Sequence, residues 1–306
     1  TTPARLTGVT DQLGTVETGK LANLVVVEGD YFNPKAELKG VWIEGRWITL
    51  KPEKLAWVDK KKEDEEKEDE EKEDSSEESD KPDTRLARSP VGEHNVLEPS
   101  AVLVRNATVW TSSKRGVLKK HDLLVVDGKI KRIGRDLPSP ENAHVIDAKG
   151  KHVTAGLIDA HNHSMILGSV NEGTLPSSAM VSIGDVVNSE SPEIHRQLAG
   201  GLTVANLLHG SANPIGGQNA VIKLRLGQGP EGMKFKAAPP GIKFALGENV
   251  KQSNWGDNKN TRFPQTRMGV PAFHENRFTA AWQYNREWRH FREKGGPPPR
   301  RDLELE

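Results

Sequence analysis

The chain has 306 residues, enough for one large domain or two ordinary ones. Its 43 Lys and Arg balance its 43 Asp and Glu, so no global charge favours nucleic acid or an anionic membrane surface. Cysteine is absent, which excludes disulfides and thiolate metal sites and leaves His, carboxylates or a modified Lys as metal ligands. Lack of Cys fits the cytosol and equally allows the periplasm. No apolar run approaches the length of a membrane span, and no signal-peptide pattern precedes Thr2-Pro3. Thr1 is not an initiator Met, which reads as a start inside a longer protein.

Residues 1–20 predict a short helix ending near Leu13-Gly14, then a turn. Leu21 to Val27 reads as a strand. Val41 to Ile48 predicts a hairpin turning at Glu44-Gly45, with β-branched and aromatic flanks. Residues 59–83 are almost wholly Lys, Glu and Asp, with acid in excess, and cannot bury enough surface to offset their ordering entropy. A solvated linker over 59–99 is expected, with an acidic docking tail as the alternative.

Ala101 to Trp110 predicts a strand, and His121 to Ile133 a hairpin turning at Asp127-Gly128. Val145 to Val153 leads into Val153-Thr-Ala-Gly-Leu-Ile-Asp-Ala-His-Asn-His163, read as a buried strand in which Gly156 allows close backbone approach. His161 and His163 are two apart, so on a strand they point to one side. Two imidazoles aimed into one space are how a protein begins a divalent-metal site. A bare His-x-His is also common as surface or hydrogen-bonded histidines, so its surroundings must decide.

Ser191 as N-cap and Pro192 at the first position start a helix that runs to Leu198 and ends at Gly200-Gly201. Leu202 to Leu208 is a continuous apolar strand of the kind found in parallel sheets covered on both faces. Ser211 to Gly217 is then a loop at its C-terminal end, and 220–226 and 241–247 read as further strands. The Gly216-Gly217 pair suggests an anion cradle of backbone N–H groups, but no helix start and Lys follow it as a P-loop requires. Val270 to Glu293 predicts an amphipathic helix burying Phe273, Phe278, Ala281, Trp282 and Trp288. Arg286, Arg289 and Arg292 form its wet face. Alternating strand and helix argues for a βα-barrel.

Gly156-Leu-Ile-Asp-Ala-His-Asn-His163 resembles the first-strand motif of the amidohydrolase superfamily, the metal-dependent hydrolases built on a TIM barrel. The strand at 101–110, the Val-Asp-Gly-Lys-Ile hairpin core and Ile146-Asp-Ala-Lys-Gly150 resemble the opening of such a protein. Leu6-Thr-Gly-Val9, Leu13 to Lys20, Leu21-Ala-Asn-Leu-Val-Val26 and Val41-Trp-Ile-Glu-Gly-Arg46 resemble its closing segment, with Asn23 where the family usually has Asp. The resemblance implies an α/β chain with a composite β-sandwich and a partial TIM barrel. It divides the chain into a closing sandwich segment (1–58), a charged linker (59–99), an opening sandwich segment (100–152) and the first part of a barrel (153–306). The closing segment stands first, so the order reads as a piece of a tandem protein, or as one module with permuted parts. The strands at 21–27 and 41–48 are expected to pair with those at 101–110 and 122–133 in one composite sandwich.

The resemblance implies one or two divalent ions, with Zn²⁺ first, held by His161 and His163. A carboxylate-type ligand follows from a middle strand: Glu248 is the first choice and Lys243, as a carbamylated Lys, the second. Asp159 is placed behind His161 as an orienting group, or else pairs with backbone. His209, ending the strand at 202–208, either faces substrate or is structural. The family's two later histidines and its catalytic Asp match no segment here, so the chain is expected to be incomplete and inactive alone. The implied activity is hydrolysis of carbon–nitrogen bonds other than ordinary peptide bonds in a small molecule, such as a cyclic amide, an N-acyl amino acid or a dipeptide. The stretch Gly241 to Glu248 looks closer to the imidazolonepropionase-like branch than to urease or dihydroorotase. The competing reading is a non-catalytic unit serving assembly or partner binding. No nucleic-acid or membrane partner is expected, and a homo-oligomer is left open.

Overall fold

A computed structural model describes residues 1–29, 33, 36–49, 96–251 and 262–306. The charged tract at 59–95 and residues 50–58 of the expected closing segment lie outside these. The first helix, α1 (Thr2–Leu6), is shorter than expected, with hydrogen-bonded turns following it through Leu13. The first strands are β1 (Leu24–Glu28), β2 (Glu37–Ile43), β3 (Arg46–Thr49) and β4 (Val96–Leu97). After them come β5 (Ala101–Trp110), β6 (Val117–Val126), β7 (Lys129–Gly134), β8 (His144–Asp147) and β9 (Lys151–Ala155). These nine strands make one mixed sheet in the order β4-β3-β2-β1-β9-β5-β6-β7, with β8 pairing β5.

The two segments are therefore joined, though only in small part by the pairing expected. β1 lies antiparallel to β2 on one side and to β9 on the other, and β9 lies parallel to β5. The strand next to Gly156 makes the main connection, and the expected contact with 122–133 is a single antiparallel bridge from Leu21 to Lys129. Alternate residues of β1 serve different cores, as the two-residue period of a strand requires. Leu24 and Val26 pack with Trp42, Trp47, Val102, Leu123, Val125 and Ile130. Val25 and Val27 pack with Ile183, Ile194, Leu198, Ala205 and Ile222 of the following region.

The two hairpin tips meet. Glu44 and Gly45 have φ of 50° and 86°, and Asp127 and Gly128 have 49° and 73°, the left-handed pairs that a two-residue turn of matching twist needs. A Cβ on Gly128 would stand 2.6 Å from the Glu44 carbonyl oxygen, so this contact admits only glycine. Glu44 then reaches a different sheet, where its carboxylate binds both Lys223 and Arg225. The Lys223 ammonium also lies 3.9 Å from the centre of the Phe235 ring.

The strand expected over Val153–His163 is two strands. β9 ends at Ala155 in the large sheet, and β10 (Leu157–Asn162) opens a second sheet. Gly156 is the crossing point. Its N–H donates to the Asn23 carbonyl, 2.8 Å, and a Cβ there would stand 2.3 Å from Thr203 Oγ1. β10 pairs parallel with β11 (Leu202–Leu207) through α2 (Pro192–Ala199), a βαβ unit as expected. The Ser191 hydroxyl accepts from the Glu193 N–H, 3.3 Å, as the N-cap reading requires.

Beyond this unit the barrel expectation is not met among the described residues. β13 (Ala220–Lys223) pairs antiparallel with β11, not parallel. β12 (Ile215–Gln218) and β14 (Ile242–Phe244) form a separate antiparallel pair. The physical reason is the connection between β11 and β13. It holds a loop and β12, which pairs in the other sheet, and no helix that could carry β13 round parallel to β11. A single turn of helix, α3 (Pro230–Met233), follows.

The last helix, α4 (Gly269–Lys294), has the expected span but not the expected burial. Phe273 is buried, whereas Phe278 and Trp282 are more than half exposed. Phe278 stacks on Phe244, and Arg286 covers Trp282. The tail returns along the helix, with Glu304 bound to Arg277 at 2.9 Å and Tyr284 to Glu306 at 3.1 Å. No described helix is long and apolar enough to cross a membrane.

Replacing Glu44 with Gln would leave Lys223 and Arg225 without their counter-charge beneath the hairpin tips. Breaking a buried pair costs about 3–5 kcal/mol, less where one partner keeps contact with water as Arg225 does. Glu44→Gln is expected to lower the unfolding free energy by roughly 2–3 kcal/mol on that basis, read from urea denaturation midpoints at constant slope.

Candidate metal centre at the end of the histidine strand

His161 is the last residue but one of β10, and His163 follows its end, where parallel strands present catalytic groups. Their rings meet edge to face with centroids 4.7 Å apart, and the two Nε2 atoms are 2.9 Å apart. Both residues are exposed, so their shared space is open to solvent and to a ligand. His163 Nδ1 is 2.8 Å from the Leu208 carbonyl oxygen. A carbonyl can only accept, so Nδ1 carries the proton and Nε2 presents its lone pair. Leu208 follows the end of the neighbouring strand β11, and this orienting carbonyl has no side-chain signal in the sequence.

Lys243, from the centre of β14, places Nζ 3.1 Å from His161 Nε2. Burial lowers its pKa, favouring the neutral amine. Glu248, the first choice for the carboxylate-type ligand, is elsewhere. Its carboxylate binds Lys251 at 2.7 Å on an exposed turn. Three loop residues after β14 carry the chain away before Glu248 is reached, while Lys243 lies within β14. Among the described residues no third His, Cys, Asp or Glu joins the pair in a metal-holding group. The lysine is thus the middle-strand residue brought to the histidines.

Asp159 does not orient an imidazole. One carboxylate oxygen accepts from the His161 backbone N–H, 3.0 Å, and the other from the Asn162 amide, 2.9 Å. It closes the end of the strand, the backbone role left open by the sequence. Asn162 points inward and is buried. It also donates to Gln197 on α2, 3.2 Å, and accepts from the Ser164 N–H, 2.8 Å. This network ties the loop carrying His163 to α2, and its Gln197 member was not singled out in the sequence.

His209 does not face an open mouth. It is 2% exposed, and neither ring nitrogen has a hydrogen-bond partner among the described residues. Its ring packs on Gly217, where an added Cβ would stand 2.4 Å from Nε2. The Gly216-Gly217 pair is therefore strand backbone under a histidine, not an anion cradle.

His163 Nε2 presents a lone pair, and His161 Nε2 stands 2.9 Å from it and 3.1 Å from Lys243 Nζ. A cation accepting one lone pair from each imidazole matches this convergence. Tetrahedral bonds of about 2.0–2.1 Å would set the nitrogens about 3.3 Å apart, a few tenths beyond the observed separation. The pair fits a divalent ion of the zinc type.

A solved amidohydrolase from Thermotoga maritima matches at TM-score 0.59 and 35% identity, over 67% of this chain and 53% of that one. Over these stretches the chain is similar to proteins of the amidohydrolase superfamily. The family model described as "Amidohydrolase family" matches residues 1–48, the segment that supplies β1 to β3. The amidohydrolase TasK of Hapsidospora irregularis is 31% identical over 200 residues, 55% of this chain and 20% of that protein. A dihydroorotase of Geotalea daltonii is 60% identical over 42 residues, 14% of this chain and 10% of its own. The chain spans about half of its solved neighbour and a fifth or less of these curated relatives.

The His161 imidazole is held below its ordinary value near 6.5, first by desolvation and then by the Lys243 and His163 charges. Such a group binds protons more readily when unfolded, so it withdraws stability as pH falls through 6.5 toward the folded value. In the metal-free protein Lys243→Met is expected to raise the His161 pKa toward 6.5, read by NMR titration of the imidazole proton. An unchanged titration would show that Lys243 does not sense this ring.

Proposed function

We propose that this chain carries the first part of a metal-dependent hydrolase site for a carbon–nitrogen bond in a small molecule. The observation that carries the reading is the convergence of His161, His163 and Lys243 on one open space at the end of a parallel strand pair. The βαβ unit over 157–207 is of the kind from which a TIM-type barrel is built, and the nine-stranded sheet would be the β-domain beside it. The relatives' names, amidohydrolase and dihydroorotase, support the bond class. The solved neighbour supports the fold.

His161 and His163 would hold Zn²⁺ or a similar ion through Nε2. Lys243 would join them once its neutral amine has combined with carbon dioxide to give a carbamate, a carboxylate-like ligand. The lowered pKa that burial imposes on Lys243 favours that reaction, because only the neutral amine is nucleophilic. When bound, such an ion lowers the pKa of water to near neutrality and polarises a carbonyl. The chain's own contribution is positional. The Leu208 carbonyl fixes the His163 tautomer, Asp159 and Asn162 fix the strand end, and β14 presents the lysine. Substrate would approach from the exposed side of the two rings.

The test uses the full chain. Zn²⁺ titrated against a chelator should bind stoichiometrically. His161→Ala combined with His163→Ala should abolish the tight site, while the unfolding transition is retained. A wild-type chain with no zinc affinity beyond the double variant's would sink the metal reading. Hydrolysis is then assayed on a panel of cyclic amides, N-acyl amino acids and dipeptides, where any zinc-dependent activity lost in the double variant identifies the bond class.

A further inference from the structure

The register of the β12–β14 pair is broken at one place. Ile215 faces Phe244 and Gln218 faces Ile242, so two residues of β12, Gly216 and Gly217, stand opposite the single residue Lys243. Two against one is a β-bulge, a device that bends a strand and re-aims a side chain. The side chain at this bulge is the one that reaches His161 Nε2.

The bulge is packed tightly: Gly217 has no room for a side chain, and at Gly216 one would fit only if His209 or Lys243 moved. A Cβ on Gly216 would stand 3.1 Å from His209 Cβ and 3.2 Å from Lys243 Cβ. A Cβ on Gly217 would stand 2.2 Å from the Val181 carbonyl oxygen and 2.4 Å from His209 Nε2. The Lys243 stem therefore lies directly on Gly216, and His209 backs both glycines. His209 gains no hydrogen bond from this place among the described residues, though it is almost fully buried. A buried imidazole without partners is costly, so its packing against the bulge is what its position secures.

We infer that Gly216, Gly217 and His209 are positioning residues for Lys243: the glycine bulge, braced by the His209 ring, aims the lysine at the space between the histidines. The inference rests on the proposed metal site and adds what places its third group. It also accounts for two sequence features, the Gly-Gly pair and the strand-ending histidine, that touch no ligand.

A double-mutant cycle on the full chain tests it, with Zn²⁺ as the probe and dissociation constants read by chelator competition. Gly216→Ala is expected to weaken binding about 10- to 100-fold, the range for losing an orienting contact at a metal ligand. In a Lys243→Met background the same change should have no further effect, because its action passes through that lysine. Damage to the fold alone would weaken binding equally in both backgrounds and would overturn the inference, as would a Gly216→Ala chain with wild-type affinity. His209→Ala, which removes the brace instead of adding an atom, is run through the same cycle and decides the matter if Gly216→Ala does not fold. If Lys243→Met keeps wild-type zinc affinity while the His161/His163 double variant loses it, the metal site stands and this inference falls. If the wild type binds no zinc, it is the metal reading that has failed.

Discussion

The insertion of β1 between β2 and β9 is the interaction on which the rest of the molecule depends. Five residues of β1 carry ladder bonds on both sides and send alternate side chains into two cores. The same segment supplies the Asn23 carbonyl that receives the Gly156 N–H at the point where the chain leaves one sheet for the next. The first residues add Ala4, Val9 and Leu13 to a third cluster beneath Ile158 and Val204, at the foot of β10 and β11. A segment remote in sequence from the histidines thus forms the floor of the sheet that bears them.

This arrangement explains why a strained-looking contact is placed at the hairpin tips. Glu44 must leave the turn in a left-handed conformation to lie against Gly128, and from there it meets Lys223 and Arg225. Burial pushes Lys223 down to about 8, and the Glu44 carboxylate and the Phe235 ring face act against that push by favouring the ammonium. The ion cluster gives the first segment a specific registration against β13, which apolar packing alone would leave free to slide.

The site follows the same logic of backbone placing side chain. Strand alternation brings His161 and His163 to one side, a carbonyl from the next strand sets the tautomer, and a bulge in a third strand delivers the lysine. Each device acts on an element's end or irregularity, where a side chain can be directed without disturbing a ladder. Glu248, five residues beyond Lys243, is past the last ladder bond of β14, so a local ion pair with Lys251 claims it.

Local chemistry determined much of this protein. The turns at Glu44-Gly45 and Asp127-Gly128, the strand at 101–110, the capped helix after Ser191 and the paired histidines were legible, because each depends on conformational preferences within a few residues. Family resemblance over the same stretches was legible for the same reason. What only the tertiary structure decided was everything set by partners distant in the chain. The joining of β1 to β9, the antiparallel return of β13, the exposure of Phe278 and Trp282, the burial of His209 and the choice of Lys243 over Glu248 all belong to this group. Periodicity states which residues share a face. It does not state what that face will meet, since that is decided by which strand edges and cores remain open when the chain returns to them.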